Sequence, residues 1–135
     1  MDNSYYREQI IDLYENPLNY GELEMADFSY EEDNPLCGDV VRIDVKLDEN
    51  GRVAQVAWSG EGCAISQASA SLLTEEIKGK TLAEVKEFSK DKVLEMIGIP
   101  LSMARVKCAM LSLKVLKAGA YGIPEPDTMR GDNNG

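Results

Sequence analysis

Three cysteines and one aspartate are the residues of this chain best suited to metal or sulfur chemistry. Cys37 and Asp39 are separated by a single glycine, Cys63 follows a Gly-Glu-Gly segment, and Cys108 lies far downstream in an Arg-Val-Lys-Cys-Ala segment. Three soft thiolates and one hard carboxylate form a four-ligand set suited to Zn²⁺ or to an iron–sulfur cluster. The chain contains 0 histidines, which excludes histidine acid–base catalysis and Ser-His or Cys-His nucleophile pairs.

The first cysteine has a local sequence that favours a ligand. Asn34-Pro35 predicts a turn before Cys37, and Gly38 allows the backbone to approach a bound metal closely. Asp39 follows two residues after Cys37, so both side chains can point to the same side of an extended segment. The alternative is a loop cysteine beside a surface aspartate, which the two further cysteine motifs disfavour.

The other two cysteines lie on predicted helices and differ in how strongly their surroundings indicate a site. Cys63 follows Gly62 where a helix is predicted to begin, and unpaired N–H groups with the helix dipole favour the thiolate there. The glycines on either side of Glu61 indicate a backbone turned to expose a site, which argues against a buried structural cysteine. Cys108 lies on the apolar stripe of the last predicted helix, a position that taken alone favours core packing.

Hydrophobic spacing predicts the elements that must position these residues. Tyr6, Ile10, Leu13 and Tyr14 have helical spacing behind Ser4, a predicted N-cap, and Asn16-Pro17 should end this first helix. Alternating apolar residues and a turn at 48–51 predict three antiparallel strands, at Ala26–Tyr30, Val41–Leu47 and Arg52–Trp58.

Further helices are predicted after the strands. One runs from Ala64 to Ile77 and is closed by Gly79, and a short one begins at the Thr81/Glu84 capping box. Two more are predicted, at Asp91–Ile97 and from about Pro100 onward. Strands early and helices late predict an α+β fold, with a three-stranded antiparallel sheet and helices packed on one face.

Composition limits the classes of protein that the chain can belong to. The chain has 135 residues, 44% of them hydrophobic, which suffices for one core. The predicted domain covers residues 1–123, and the Pro-, Gly-, Asp- and Asn-rich segment 124–135 is predicted to be a disordered tail. The net charge of −10 argues against nucleic acid and anionic membranes as partners.

Cysteine number and hydropathy predict a cytoplasmic protein. An odd count of 3 cysteines excludes complete disulfide pairing and is more typical of ligands or reactive thiols. No run approaches the roughly 18–20 apolar residues that span a bilayer. The N-terminal segment lacks the basic and apolar regions of a signal peptide.

The three cysteine motifs, in this order, resemble those of the IscU/SufU/NifU N-terminal family of iron–sulfur cluster assembly proteins. The resemblance rests on Cys-Gly-Asp after Asn-Pro, on Gly-x-Gly-Cys-Ala-Ile-Ser opening a helix, and on a third cysteine well downstream. It covers nearly the whole chain, from about Tyr5 through the helix that contains Cys108.

The resemblance implies an iron–sulfur scaffold that works with a cysteine desulfurase. The desulfurase would deliver sulfur as a persulfide, with Cys108 as a candidate acceptor, and iron would enter separately. A transient 2Fe–2S cluster would then form on Cys37, Cys63 and Cys108, with Asp39 as fourth ligand or as a gate, before transfer to client apoproteins. An oxygen ligand should make this cluster easier to release than four thiolates would. Further copies of the chain are an additional expected partner, as a homo-oligomer.

The main alternative is a zinc-dependent sulfur acceptor of the SufU type, and thus a sulfurtransferase. The same four residues would hold Zn²⁺, and Cys108 would leave the metal to take up sulfur. IscU-type proteins have histidine where this chain has Lys107, while Arg105 matches SufU-type sequences; both differences favour the alternative. The chain is too short between its second and third cysteines for the insertion usual in SufU-type proteins, which disfavours it.

Lys107 is a weak catalytic candidate with two interpretations. A protonated lysine has no lone pair for a metal, so it could hold an anionic cluster or persulfide only by charge. Otherwise it is a solvated helix residue. A third function, a structural zinc domain that only recruits partners, is disfavoured by the aspartate, since structural sites mostly use cysteine and histidine.

Overall fold

The computed structural model describes residues 4–34 and 38–122. An N-terminal helix precedes three strands, and four helices follow them. The elements are α1 (Ser4–Glu15), β1 (Phe28–Asn34), β2 (Asp39–Leu47), β3 (Val53–Glu61), α2 (Ala64–Glu76), α3 (Leu82–Lys86), α4 (Lys90–Ile97) and α5 (Met103–Tyr121).

The three strands form one antiparallel sheet in the order β1-β2-β3. On β2 the alternating residues Val41, Ile43 and Val45 are at most 1% exposed, because they face the helices. Asn34 pairs with Asp39, and Val40 pairs with Glu61. Asp39, the first residue of the central strand β2, therefore lies at the end of the sheet where β1 and β3 both finish.

The third strand is longer than predicted. It continues through Gly60 to Glu61 rather than ending at Trp58. Gly60 has a φ of +138°, and a side chain there would collide with the Val40 carbonyl. The glycine is thus a point of close contact between strands, whereas the sequence indicated a turn of the backbone that exposes a site.

Helices α2 and α5 pack against each other and contribute to the core with the sheet. The Ser69 hydroxyl of α2 donates to the Ala109 carbonyl of α5, and it shares a second hydrogen bond of 3.0 Å with the Ser112 hydroxyl. Both serines are 0% exposed. These bonds fix the position of α2 along α5. Together with the three-stranded sheet, this packing confirms the α+β fold predicted from the sequence.

Helix ends follow capping chemistry. The predicted box is confirmed, since the Thr81 hydroxyl accepts from the Glu84 N–H and the Glu84 carboxylate accepts from the Thr81 N–H. Helix α5 begins at Met103 rather than near Pro100, because the Ser102 hydroxyl accepts from the Arg105 N–H. Helix α1 begins at Ser4 itself rather than after it.

The sequence predicted a disordered C-terminal tail and no membrane-spanning segment. The predicted tail, residues 124–135, lies outside the described residues. Within residues 4–34 and 38–122, no helix combines the length and hydrophobicity needed to cross a bilayer.

Candidate metal centre

Asp39, Cys63 and Cys108 come together although they lie on three different elements. One ligand atom from each, a carboxylate oxygen and two Sγ atoms, lies within 4.8 Å of the other two. Asp39 begins β2, Cys63 immediately precedes α2, and Cys108 lies in the second turn of α5. The structure therefore brings three of the four predicted ligands together.

The Asp39 carboxylate is buried and aimed at the start of α2. Its side chain is 1% exposed, and Oδ1 accepts a 3.0 Å hydrogen bond from the Cys63 N–H. The Cys63 Sγ lies 3.9 Å from Oδ2. Gly62 makes this approach possible, since a Cβ there would lie 2.5 Å from Oδ1. The sequence suggested a role for the glycine pair but not this contact.

Cys63 is the N-cap residue of α2, with φ −72° and ψ 168°, and its side chain makes no capping hydrogen bond. The thiol is thus not used to cap the helix. The Ser66 hydroxyl donates to the Cys63 carbonyl at 3.1 Å, and the Gln67 amide donates to the Gly62 carbonyl at 3.0 Å. These two bonds hold the turn that presents the thiol, and they were not foreseen from the sequence.

Cys108 is 3% exposed and belongs to a small core cluster with the half-buried Cys63 beside it. From the sequence, Cys108 had two interpretations, core packing or metal binding. The structure confirms the burial, and it places the Cys108 thiol beside Asp39 and Cys63, so metal binding stays a prediction. Cys63 and Cys108 are thiols and not a disulfide with each other.

The arrangement has the chemistry of a site for a thiophilic metal. A buried carboxylate is costly unless a cation or hydrogen-bond donors compensate its charge. Two cysteines and one carboxylate suit Zn²⁺ or iron, whereas Mg²⁺ and Ca²⁺ prefer oxygen ligands alone. The three residues therefore fit the metals expected from the sequence.

Two other site residues predicted from the sequence, Cys37 and Lys107, are not members of the group found among the described residues. Cys37 lies outside the described residues, so its place as fourth ligand stays a prediction. Lys107 is exposed on α5 and lines a cavity of about 250 Å³ together with Lys114. Glu32, hydrogen-bonded to Lys114 at 2.9 Å, raises the pKa of that lysine and keeps it cationic.

A second buried aspartate, Asp44, serves the fold. Burial favours its neutral form, yet hydrogen bonds from Ser29, Arg42 and the Leu23 N–H hold the pKa of the carboxyl below its usual value. The charge is compensated by these partners, so Asp44 ties β2 to neighbouring segments and needs no metal.

Comparison with known proteins gives one consistent result. Residues 5–126 match the family described as the NifU-like N terminal domain. The iron–sulfur cluster assembly scaffold protein IscU of Haemophilus influenzae is 35% identical over 116 residues, which cover 84% of this chain and 90% of the relative. The zinc-dependent sulfurtransferase SufU of Bacillus subtilis is 36% identical over 134 residues, covering 87% and 90%.

A solved structure agrees with the sequence comparisons. The putative iron–sulfur cluster assembly scaffold protein for the SUF system from Fervidobacterium islandicum is 28% identical and superposes with a TM-score of 0.74, covering 89% of this chain and 99% of that one. The SufU alignment has 134 positions but covers only 87% of this chain, so that relative has additional residues within the matched region. With the Asp39, Cys63 and Cys108 group in place, these matches show that the chain belongs to the NifU-like N-terminal domain family.

Proposed function

We propose that this protein is a scaffold on which iron–sulfur clusters are assembled and from which they are passed to apoproteins. The observation that carries the proposal is the convergence of the Asp39 carboxylate with the Cys63 and Cys108 thiols within 4.8 Å. A mixed oxygen and sulfur ligand set binds iron but holds a cluster less firmly than four thiolates. A scaffold needs this balance, because it must both build the cluster and release it.

The proposed cargo is a 2Fe–2S cluster, with Cys37 as the fourth ligand and a cysteine desulfurase as the source of sulfur. Cys108 is the proposed acceptor of persulfide sulfur, and client apoproteins receive the finished cluster. The proposed setting is the cytoplasm, where thiols stay reduced. Within the chain, residues 1–123 are proposed to form the functional domain.

Anaerobic reconstitution tests the scaffold function. The full chain is incubated with ferrous iron, cysteine and a cysteine desulfurase, and iron, acid-labile sulfide and the visible spectrum are measured. Equal amounts of iron and sulfide with cluster absorption are expected for the unaltered chain and for Glu61→Gln, which removes an exposed charge beside the centre. Cys63→Ser should lose the cluster. An unaltered chain that gains no sulfide would exclude the scaffold function.

A zinc-dependent sulfur acceptor is the second candidate function. It is favoured by 36% identity to the sulfurtransferase of Bacillus subtilis and by the 0 histidines of the chain. It predicts about one tightly held zinc per chain, no sulfide after reconstitution, and faster turnover of the desulfurase. Zinc that iron cannot displace would favour this function over the scaffold.

A further inference from the structure

A cavity of about 250 Å³ lies between the first half of α5 and the end of β1. Its size is below the roughly 300–1,000 Å³ of pockets for drug-sized ligands, so it suits a smaller molecule. The residues that line it include charges of both signs and two apolar side chains: Asp33, Asn34, Lys107, Met110, Leu111 and Lys114.

Helix α5 lies against β1 beyond the cavity as well. Near its C-terminus, Gly119 lies so close to β1 that a Cβ there would be 2.6 Å from Cδ1 of Phe28. Nearer the N-terminus of α5, the long side chains of Lys107 and Met110 line the cavity together with Asp33 of β1.

The cavity adjoins the metal centre. Lys107 directly precedes Cys108, and Asn34 pairs with Asp39 across β1 and β2. Met110 lines the cavity and also packs against the core cluster that contains Cys108. Two residues that line the cavity are therefore direct neighbours, along α5 or across the paired strands, of two of the three described ligands of the centre.

Charge sets the class of ligand. Helix α5 carries four cations and no acidic residue, although the whole chain has a net charge of −10. Two of these cations, Lys107 and Lys114, face the cavity, and Lys114 also pairs with Glu32. Asp33 provides the opposite charge within the same cavity. A ligand with one anionic and one cationic group on a short carbon chain satisfies both.

We propose that this cavity binds a small α-amino acid with a thiol side chain, of which free cysteine is the simplest. Its carboxylate would pair with Lys107 and Lys114, its ammonium group with Asp33, and its side chain would lie on Met110 and Leu111. The choice of a thiol rests on the proposed function, because the neighbouring centre handles sulfur and soft metals. The choice of an amino acid rests on the two signs of charge around the cavity and does not depend on that function.

Titration of the full chain with S-methyl-L-cysteine tests the proposal, since this thioether cannot exchange with disulfides. Saturable NMR shifts are expected at residues 107–114. Lys107→Gln, Lys114→Gln and Asp33→Asn should each weaken binding about fivefold, as for one partly exposed ion pair. Lys92→Gln, an exposed lysine on α4, is the matched control and should leave the affinity unchanged. S-methylcysteamine, which lacks the carboxylate, should bind at least about tenfold more weakly.

The possible results separate this proposal from the proposed function. Absence of saturable shifts, equal affinity for both probes, or an equal loss in Lys92→Gln would each overturn the cavity assignment. If the probe fails to bind while reconstitution still yields a cluster, only the cavity assignment is wrong. If the probe binds as expected while no cluster forms, the scaffold function is wrong and the amino-acid site stands.

Discussion

Gly62 determines how closely the Asp39 carboxylate can approach the start of α2. Substituting it with alanine would place a Cβ 2.5 Å from Asp39 Oδ1 and in collision with the Ser66 hydroxyl. We expect Gly62→Ala to lower the free energy of unfolding by about 1–3 kcal/mol, as overpacking does. It should also weaken Zn²⁺ binding, because the carboxylate must move. Urea unfolding and metal competition measure the two effects.

Gly122→Ala is the matched control for this substitution. Gly122 has a φ of −76°, and a Cβ there would be no closer than 3.4 Å to another atom. Alanine should therefore be neutral or slightly stabilising at this position. If both variants bind zinc equally well, Gly62 does not control the position of Asp39.

Asp39 is expected to be a metal ligand because it is 1% exposed and lies within 4.8 Å of both thiols. Asp39→Ala should weaken Zn²⁺ binding by at least about tenfold, the lower limit seen when even supporting groups of metal sites are removed. Competition with a chromophoric chelator measures the affinity, and Glu61→Gln controls for the loss of one negative charge. Unchanged affinity in Asp39→Ala would remove it from the ligand set.

The four ligand candidates could be chosen from the sequence by residue type and motif, and three of them converge in the structure. The hydrogen bonds that support these ligands could not be predicted from the sequence. The bond from the Cys63 N–H to Asp39 joins residues 24 positions apart, and no local pattern encodes such a contact. Cys108 shows a related limit, because an apolar helical stripe predicts burial equally well for a core cysteine and for a buried ligand.

At the scale of elements, the centre depends on how α2 is held against its neighbours. Ser69 bonds to α5, which carries Cys108, whereas the Ser71 hydroxyl of α2 accepts from the Leu18 N–H on another side. Both serines are 0% exposed. Ser71 is therefore a control for Ser69, since only Ser69 connects to an element that carries a ligand.

Ser69→Ala removes two hydrogen bonds and should lower the free energy of unfolding by about 1–3 kcal/mol, whereas Ser71→Ala removes one and should lower it by about 1 kcal/mol. Only Ser69→Ala should also weaken Zn²⁺ binding, because it loosens α5 relative to α2. Chemical denaturation and metal titration distinguish the two effects. Equal zinc affinities in the two variants would show that the α2–α5 bond does not position the ligands.

Element types were predictable because period-two and helical spacing are local properties of the chain. The first and last residues of the elements were harder to predict from the sequence. The end of β3 at Glu61 depends on contact between Gly60 and Val40 of the neighbouring strand. The start of α5 at Met103 depends on the Ser102 cap. A serine cap can be recognised in the sequence, but the prediction placed the start of the helix near Pro100 instead.

At the scale of the whole molecule, a bound metal would connect three elements that are distant in sequence. Asp39 comes from the sheet, Cys63 from the start of α2, and Cys108 from α5. Since the unfolded chain cannot hold these residues together, metal binding should add to the free energy of unfolding. The coupling makes thermal unfolding a direct readout of the assembled site.

Zinc at about 100 times its Kd should stabilise the chain by about 2.7 kcal/mol and raise its unfolding temperature by roughly 5–15 °C. Cys63→Ser and Cys108→Ser should lose most of this increase, because each removes one thiolate. Mg²⁺ should produce little change, since the two thiols are poor ligands for it. Differential scanning calorimetry with and without a chelator measures the shift. An equal increase with Mg²⁺, or in both cysteine variants, would place the stabilising metal elsewhere on this acidic chain, away from the Asp39, Cys63 and Cys108 group.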